Sequence, residues 1–389
     1  MSQSENTKPI YRGYRYRIYP DSKEEKIIIK TIEAAKEIYN FTLAERLKND
    51  SHSKPDFDYR SLAVFAISKA KEFTGINPQI GFYVAISVNS ACVKAKQTGQ
   101  TPLPKNNKRP IGSFTLKDPK PRIIVSKGRR AKVEIKGFGT IDMIYHREIP
   151  KGATFHTFTI SRNKVNQYFI SFECECPQPF DRPQIKKAIG LDFSVPKLYV
   201  SSDKTVFADP ERIHQYEKHE LLVKRAQTKL ARCQKGSKNY EKQRDRIARI
   251  HLKIVNSRTD FIHKETAKLS KNFDFVGIET LTISDLSERY RFYKRAYDDS
   301  WQMFVFALKY KMEYQKKIVA AVPRYYPSSK TCHRCGNIKR DLTLQDRIYT
   351  CPRCHVSVDR DVNAAKNIRD QALRNAGFKI RYVAPNLVS

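Results

Sequence analysis

Tyr14, Tyr16 and Ile18 alternate with Arg15 and Arg17 ahead of Pro20, a period of two that predicts a strand with one apolar and one cationic face. Past Asp21 the period becomes helical. Ile28, Ile32, Ala35 and Tyr39 recur at four- and three-residue steps, with Ser22 as the expected cap. Further helical stretches surround 62–73 and 82–93, and 97–110, rich in Pro, Asn, Thr and Lys, reads as a linker. Residues 113–176 return to period two, in segments at 123–125, 132–135, 154–160 and 168–174 separated by Gly, Asn and basic turns. The expectation is a small antiparallel β-barrel that the first strand joins, with the helices as an insertion.

Pro177, Pro179 and Pro183 then mark a boundary, because so many prolines cannot build a core element. Residues 188–193 and 198–201 read as two strands of a hairpin. A helical pair follows over 214–269, broken near Gly236-Ser237, with Ile247, Ile250 and Ile254 on one stripe. Residues 275–279 form a buried type of strand, 301–314 a helix and 318–322 another strand, so the second half mixes strands and helices around one sheet. The tail from Ala376 carries no clear pattern.

Charge narrows the function. The 389 residues include 74 Lys+Arg against 40 Asp+Glu, a formal +34, which calls for a polyanionic partner. No apolar run approaches the ~18–20 residues of a membrane span, and the polar start has no secretory pattern, so a cytoplasmic, nucleic-acid-associated protein with no membrane partner is expected. Cations recur along the chain: Arg12, Arg15 and Arg17, 105–109, 127–130, and on the helical pair Lys224, Arg225, Lys229, Arg232, Lys242, Arg244, Arg246 and Arg249. Spread charge of this kind suits a long nucleic-acid channel better than one groove-reading helix.

Of eight cysteines, four stand as Cys332-x-x-Cys335 and Cys351-x-x-Cys354 with 15 residues between the pairs. Two such knuckles deliver four thiolates to one tetrahedral ion, so a zinc ribbon with one structural Zn²⁺ is expected. His333 and His355 lie beside the ligands but lack a paired spacing of their own. Three acids also stand at element ends: Asp192, Glu279 and Asp361. Carboxylates from adjacent strands and a nearby helix can converge on hard divalent cations, although Asp361 also fits an ordinary helix N-cap.

The run Gly190-Leu191-Asp192, then Val276-Gly277-Ile278-Glu279, then Ser328-Ser329-Lys330-Thr331-Cys332-x-x-Cys335-Gly336, Cys351-Pro352-x-Cys354 and Asp359-Arg360-Asp361-x-Asn363-Ala364-Ala365-x-Asn367-Ile368 resembles the TnpB (OrfB) family of transposon-encoded proteins, compact relatives of type V CRISPR effectors. That resemblance implies an α+β multidomain chain: a wedge-like β-barrel over 1–20 and 110–182, an inserted helical recognition domain over 21–109, a RuvC-like RNase H-type α/β nuclease domain over 183–368 with a helical insertion at 211–270 and the zinc ribbon at 329–358, and a tail at 369–389. It also implies an RNA-guided DNA endonuclease with Asp192, Glu279 and Asp361 as catalytic acids holding two Mg²⁺, or Mn²⁺, with Asp359 as the lesser choice for the third. The partners would be a guide RNA, double-stranded DNA and its displaced single strand, bound by a monomer. Alternatives are a nuclease-inactive RNA-guided repressor and a transposase-accessory DNA-binding protein. Three departures stand out: Ser194 where the first motif commonly has glycine, Thr280 where a second acid often follows the glutamate, and His355 where glycine commonly follows the last cysteine.

Overall fold

The computed structural model describes residues 10–51, 59–105, 111–117, 121–126, 128–177, 185–194, 198–207, 210–280, 291–343 and 345–378. The linker end at 106–110, most of the proline-marked boundary, the hairpin turn at 195–197 and the tail beyond 378 lie outside them. The chain divides into two compact units, Met1–Gln178 and Pro179–Ser389.

The first unit opens with β1 (Ile10–Tyr19), whose Tyr14, Tyr16 and Ile18 are buried while Arg15 stays exposed, as the alternation requires. Three helices follow: α1 (Ser22–Ser51), α2 (Tyr59–Lys71) and α3 (Gln79–Thr98). Ile28, Ile32, Ala35 and Tyr39 are all buried. The cap of α1 is Asp21 rather than Ser22: its carboxylate accepts from the Lys23 and Glu24 amides at 2.7 and 2.8 Å, and Glu24 reaches back to the Asp21 amide at 2.8 Å. This reciprocal box satisfies more of the orphan donors than a serine one residue later would.

Six strands complete the unit: β2 (Gly112–Lys117), β3 (Arg122–Val125), β4 (Arg130–Ile135), β5 (Gly139–Ile144), β6 (Thr154–Arg162) and β7 (Tyr168–Cys176). Together with β1 they form one antiparallel sheet in the order β2-β6-β7-β1-β5-β4-β3. The first strand does join it, pairing with both β5 and β7. The barrel, however, is not closed. No pairing joins β2 to β3 among the described residues. At one edge β3 has four residues, three of them exposed, and at the other β2 packs on α1 and α3. The inserted helices therefore cover the apolar face that a closed barrel would have turned on itself. Cys174 and Cys176 are buried in that core, where Tyr14 Oη lies 3.7 Å from Cys176 Sγ.

The second unit holds a five-stranded sheet built from β8 (Ala188–Phe193), β9 (Tyr199–Ser201), β10 (Val206–Phe207), β11 (Phe275–Glu279) and β12 (Ile318–Val322), in the order β10-β9-β8-β11-β12. The hairpin strands β8 and β9 are antiparallel, whereas β8, β11 and β12 run parallel. Between β10 and β11 come α4 (Pro210–Ala231) and α5 (Lys238–Asn272), broken where predicted, with the Ser237 hydroxyl accepting from the Tyr240 amide at 3.1 Å as an N-cap. One face of the sheet, with Ile189, Leu191, Val276 and Ile278, packs on Ile262 and Leu269 of α5 and on Trp301, Phe304 and Leu308 of α6 (Arg291–Glu313). The two-stranded ribbon β13 (Ile348–Thr350) and β14 (Ser357–Asp359) then leads into α7 (Arg360–Asn375), which covers the opposite face. No described helix is long and apolar enough to cross a membrane.

Candidate nuclease and zinc centres

Strand parity decides where the acids point. Leu191 pairs with Ile278 and Gly190 with Gly277 in parallel register. Asp192 and Glu279, one residue further, therefore share a face with the two glycines and oppose the apolar face. That is the face α7 occupies. A Cβ on Gly190 would stand 2.0 Å from the Ala365 carbonyl oxygen and 2.7 Å from the Arg369 amide, and one on Gly277 would lie 3.0 Å from Ala372 Cβ. The paired glycines let the helix backbone settle directly on the strands, and its first turn brings Asp361 toward the strand ends.

The electrostatics report the convergence. Asp192 is half-buried; desolvation first, then a hydrogen bond shared with Glu279 and the charges of Glu279 and Asp361 push its carboxyl well above the usual range, while the Arg360 charge works the other way. Glu279 is also raised, by burial first, with the Asp192 hydrogen bond pulling down and Asp361 pushing up. A set of carboxylates offering only oxygen donors fits hard divalent cations. The fit is looser than at the thiols, since among the described residues only the cysteines place every ligand atom within 4.8 Å of the others.

Asp361 is not the helix cap. Asp359 fills that role, accepting from the Asp361 and Val362 amides at 2.9 and 3.0 Å. The Asp361 carboxylate is therefore spared for other chemistry, and among the described residues Oδ1 receives only Arg360, through Nε at 3.2 Å and Nη2 at 3.1 Å. Ser194 and Thr280 leave the acids in place, and Thr280 Oγ1 donates to the Val322 carbonyl at 2.7 Å across the sheet edge.

The four thiols form the second centre. Cys332 Sγ lies 3.6 Å from Cys354 Sγ, and Cys335 Sγ 3.6 Å from Cys351 Sγ. Sulfurs ~2.3 Å from one zinc in a tetrahedron stand about 3.8 Å apart, so the set fits that ion. Burial pushes the Cys332 thiol up to about 12, whereas at Cys351 the upward push of burial is outweighed by the Cys354 and Arg353 amides and neighbouring thiols, which bring it to about 6. The two knuckles turn alike: the Gly336 amide donates to the Cys332 carbonyl at 2.9 Å and the His355 amide to the Cys351 carbonyl at 3.1 Å. His355 adopts φ 57° where Gly336 has φ 72°, so the turn survives without glycine.

Sequence reasoning missed what the Asn-Ala-Ala-x-Asn run does. Asn363 and Asn367, both buried, stand one turn apart on α7 and donate to the Thr331 carbonyl at 2.7 and 2.6 Å; Asn367 also reaches the Ser328 carbonyl at 2.7 Å. Asn363 Oδ1 accepts from the His333 amide at 3.1 Å and faces His333 Nδ1 at 3.0 Å. This places His333 against α7 rather than in the thiol set. The i, i+4 spacing of two amides flanking small alanines was the available signal. The roles of Gly190 and Gly277 had no such signal, because they depend on which helix crosses them.

Three family models cover parts of the chain: "OrfB_IS605: Probable transposase" over residues 171–289, "Cas12f1-like, TNB domain" over 301–368, and a "Helix-turn-helix domain" over 10–51. The curated relatives include a "Putative RNA-guided DNA endonuclease" of Streptomyces pristinaespiralis, 27% identical over 377 residues covering 92% of this chain and 89% of the relative. These matches bear out the resemblance to the TnpB (OrfB) family. Another relative, the "Putative RNA-guided DNA endonuclease InsQ" of Escherichia coli K12, is 30% identical over 225 residues, 54% of this chain and 55% of its own length. Among solved structures, the Cas12f1 chain of a complex with sgRNA and target DNA shares the fold at a TM-score of 0.65, with 13% identity, over 93% of this chain and 99% of that one. The span matched by the helix-turn-helix model is here a strand and one continuous helix, β1 and α1.

The cations named on α4 and α5, from Lys224 to Arg249, are all exposed, while Val223 and Ala226 are buried. On the outer face of the first unit's sheet, the Arg15 guanidinium sits 4.0 Å and that of Arg17 5.1 Å from the Phe169 ring centre. Such pairs hold arginine tips in place without neutralising them.

Proposed function

We propose that this protein is an RNA-guided DNA endonuclease that binds a transposon-derived guide RNA and cleaves complementary double-stranded DNA beside a short flanking motif. The observation that supports the reading is that Asp192 and Glu279 share the glycine-lined strand face on which α7, the helix bearing Asp361, is seated. In it the second unit is a RuvC-like, RNase H-type nuclease domain bearing the ribbon. The open sheet and inserted helices of the first unit contact the flanking motif, and the exposed cations of α4 and α5 follow nucleic-acid phosphates by shape and charge.

Asp192, Glu279 and Asp361 would hold two Mg²⁺ ions, with Mn²⁺ able to replace them, and bound cations supply water activation and stabilisation of the leaving oxygen in phosphodiester hydrolysis. The chain's own part is to fix three carboxylates: Asp192 and Glu279 by strand register, and Asp361 by a helix start that Asp359 caps and the ribbon braces. Hydrolysis leaves a 5′-phosphate and a 3′-hydroxyl. Cys332, Cys335, Cys351 and Cys354 would hold one structural Zn²⁺ whose work is to fold the knuckles.

The test is purification with co-expressed element RNA, followed by incubation with a matched supercoiled plasmid and Mg²⁺. Linear product from the parent and none from Asp192→Ala is expected. Persistent supercoiled DNA across a library of flanking motifs would overturn the reading, and RNA-dependent binding without cleavage would make the protein a guided repressor.

A further inference from the structure

Arg360 opens α7 between the capping Asp359 and Asp361. It is tied at both ends to the loop that leads into β13: its amide donates to the Arg347 carbonyl at 2.9 Å, and Nη1 reaches the Thr343 carbonyl at 3.4 Å. Thr343 is in turn pinned by Asp346, which accepts from its amide at 2.7 Å and its hydroxyl at 2.9 Å. From that anchorage Nε and Nη2 both converge on the single oxygen Oδ1 of Asp361, in a pair only 15% and 12% exposed. Oδ2 accepts no hydrogen bond among the described residues.

A carboxylate oxygen that receives two N–H groups has its lone pairs committed. A fixed positive charge beside it also raises the cost of bringing a divalent ion near. We infer that Arg360 is a built-in counter-cation that competes with divalent metal for Asp361, and so sets the metal concentration at which the carboxylate centre fills. The inference rests on the reading of Asp192, Glu279 and Asp361 as cation ligands. Arg360 acts through Asp361, and its fork is held by the ribbon loop rather than by the strands, so the tertiary frame keeps the competitor in place whether or not a cation is present.

The experiment is titration of the zinc-loaded full chain with Mn²⁺, followed by the loss of the free-ion electron paramagnetic resonance signal, for the parent, Arg360→Gln, Arg360→Lys and Asp361→Asn. Arg360→Gln, which keeps a polar side chain and removes the charge, is expected to bind Mn²⁺ about tenfold more tightly than the parent. Arg360→Lys, which keeps the charge and loses the fork, is expected to fall between the two. The Mg²⁺ concentration for half-maximal cleavage shifts the same way. Unchanged or weaker binding by Arg360→Gln, with the parent still binding better than Asp361→Asn, overturns the inference and leaves the site reading intact. A parent that binds no better than Asp361→Asn overturns both. Should Arg360→Gln fail to retain zinc, Arg360→Lys decides: an affinity equal to or below that of the parent overturns the inference.

Discussion

The thiol centre draws its ligands from two knuckles in one short stretch of chain, whereas the carboxylate centre draws on β8, β11 and α7, with two long helices intervening between the first acid and the second. Each knuckle makes its own turn through a local amide-to-carbonyl bond, so the thiols need little from the rest of the molecule. The carboxylates need strand register, two missing side chains and a seated helix before they can meet. The centres nevertheless share α7, because Asn363 and Asn367 fasten the first knuckle to the helix that carries Asp361. Local assembly makes a centre robust, and distributed assembly makes it conditional.

Removing a carboxylate tests the conditional centre most directly. Asp192→Asn is expected to reduce cleavage to background while leaving zinc content and fold unchanged. Asp192 and Glu279 have folded values raised above their unfolded ones, so the metal-free folded chain binds protons that the unfolded chain releases. The contribution of this pair to stability is thus fully present below the unfolded carboxylate range near pH ~4 and is lost as pH rises through the raised folded values, by up to about 1.4 kcal/mol per pH unit for each extra proton bound. Urea unfolding of the zinc-loaded, magnesium-free protein across pH should show that fall, and Asp192→Asn should flatten it. A fall of the same steepness in the variant would show that the acids do not share their charge.

Zinc removal breaks the local centre instead. A chelator, or Cys351→Ser, is expected to speed amide exchange in residues 348–367 while β8 and β11 keep their protection. Equal loss in the strands would mean that the two centres are not separable. The glycine pair gives a graded effect: Gly190→Ala, with its Cβ 2.0 Å from a backbone oxygen, is expected to cost ~3 kcal/mol or more in denaturant unfolding and to abolish cleavage. Gly277→Ala, whose nearest contact is 3.0 Å, is expected to cost ~1 kcal/mol. The smallest effect belongs to the knuckle turns. His355→Gly relieves a left-handed non-glycine residue and is expected to stabilise by up to ~1 kcal/mol, while Gly336→Ala loses a similar amount, both read from the thermal midpoint of the zinc-bound protein.

What the sequence by itself determined is whatever depends on neighbours in the chain. Period-two alternation placed β1, helical steps placed α1 and α5, and the spacing of Cys332, Cys335, Cys351 and Cys354 announced the thiol set, because a knuckle is a local turn. The three acids stood out only through motif resemblance, since forty acidic residues offer no periodicity that singles out Asp192, Glu279 and Asp361. Tertiary structure decided the rest. It opened the expected barrel, because α1 and α3 cover one edge strand and β3 is too short and exposed to close the other. It gave the cap to Asp359 and thereby left Asp361 available, and it seated α7 on Gly190 and Gly277. Each of these depends on which distant backbone arrives at a position, and that information is absent from the residue's own neighbourhood because close packing, not local propensity, supplies it.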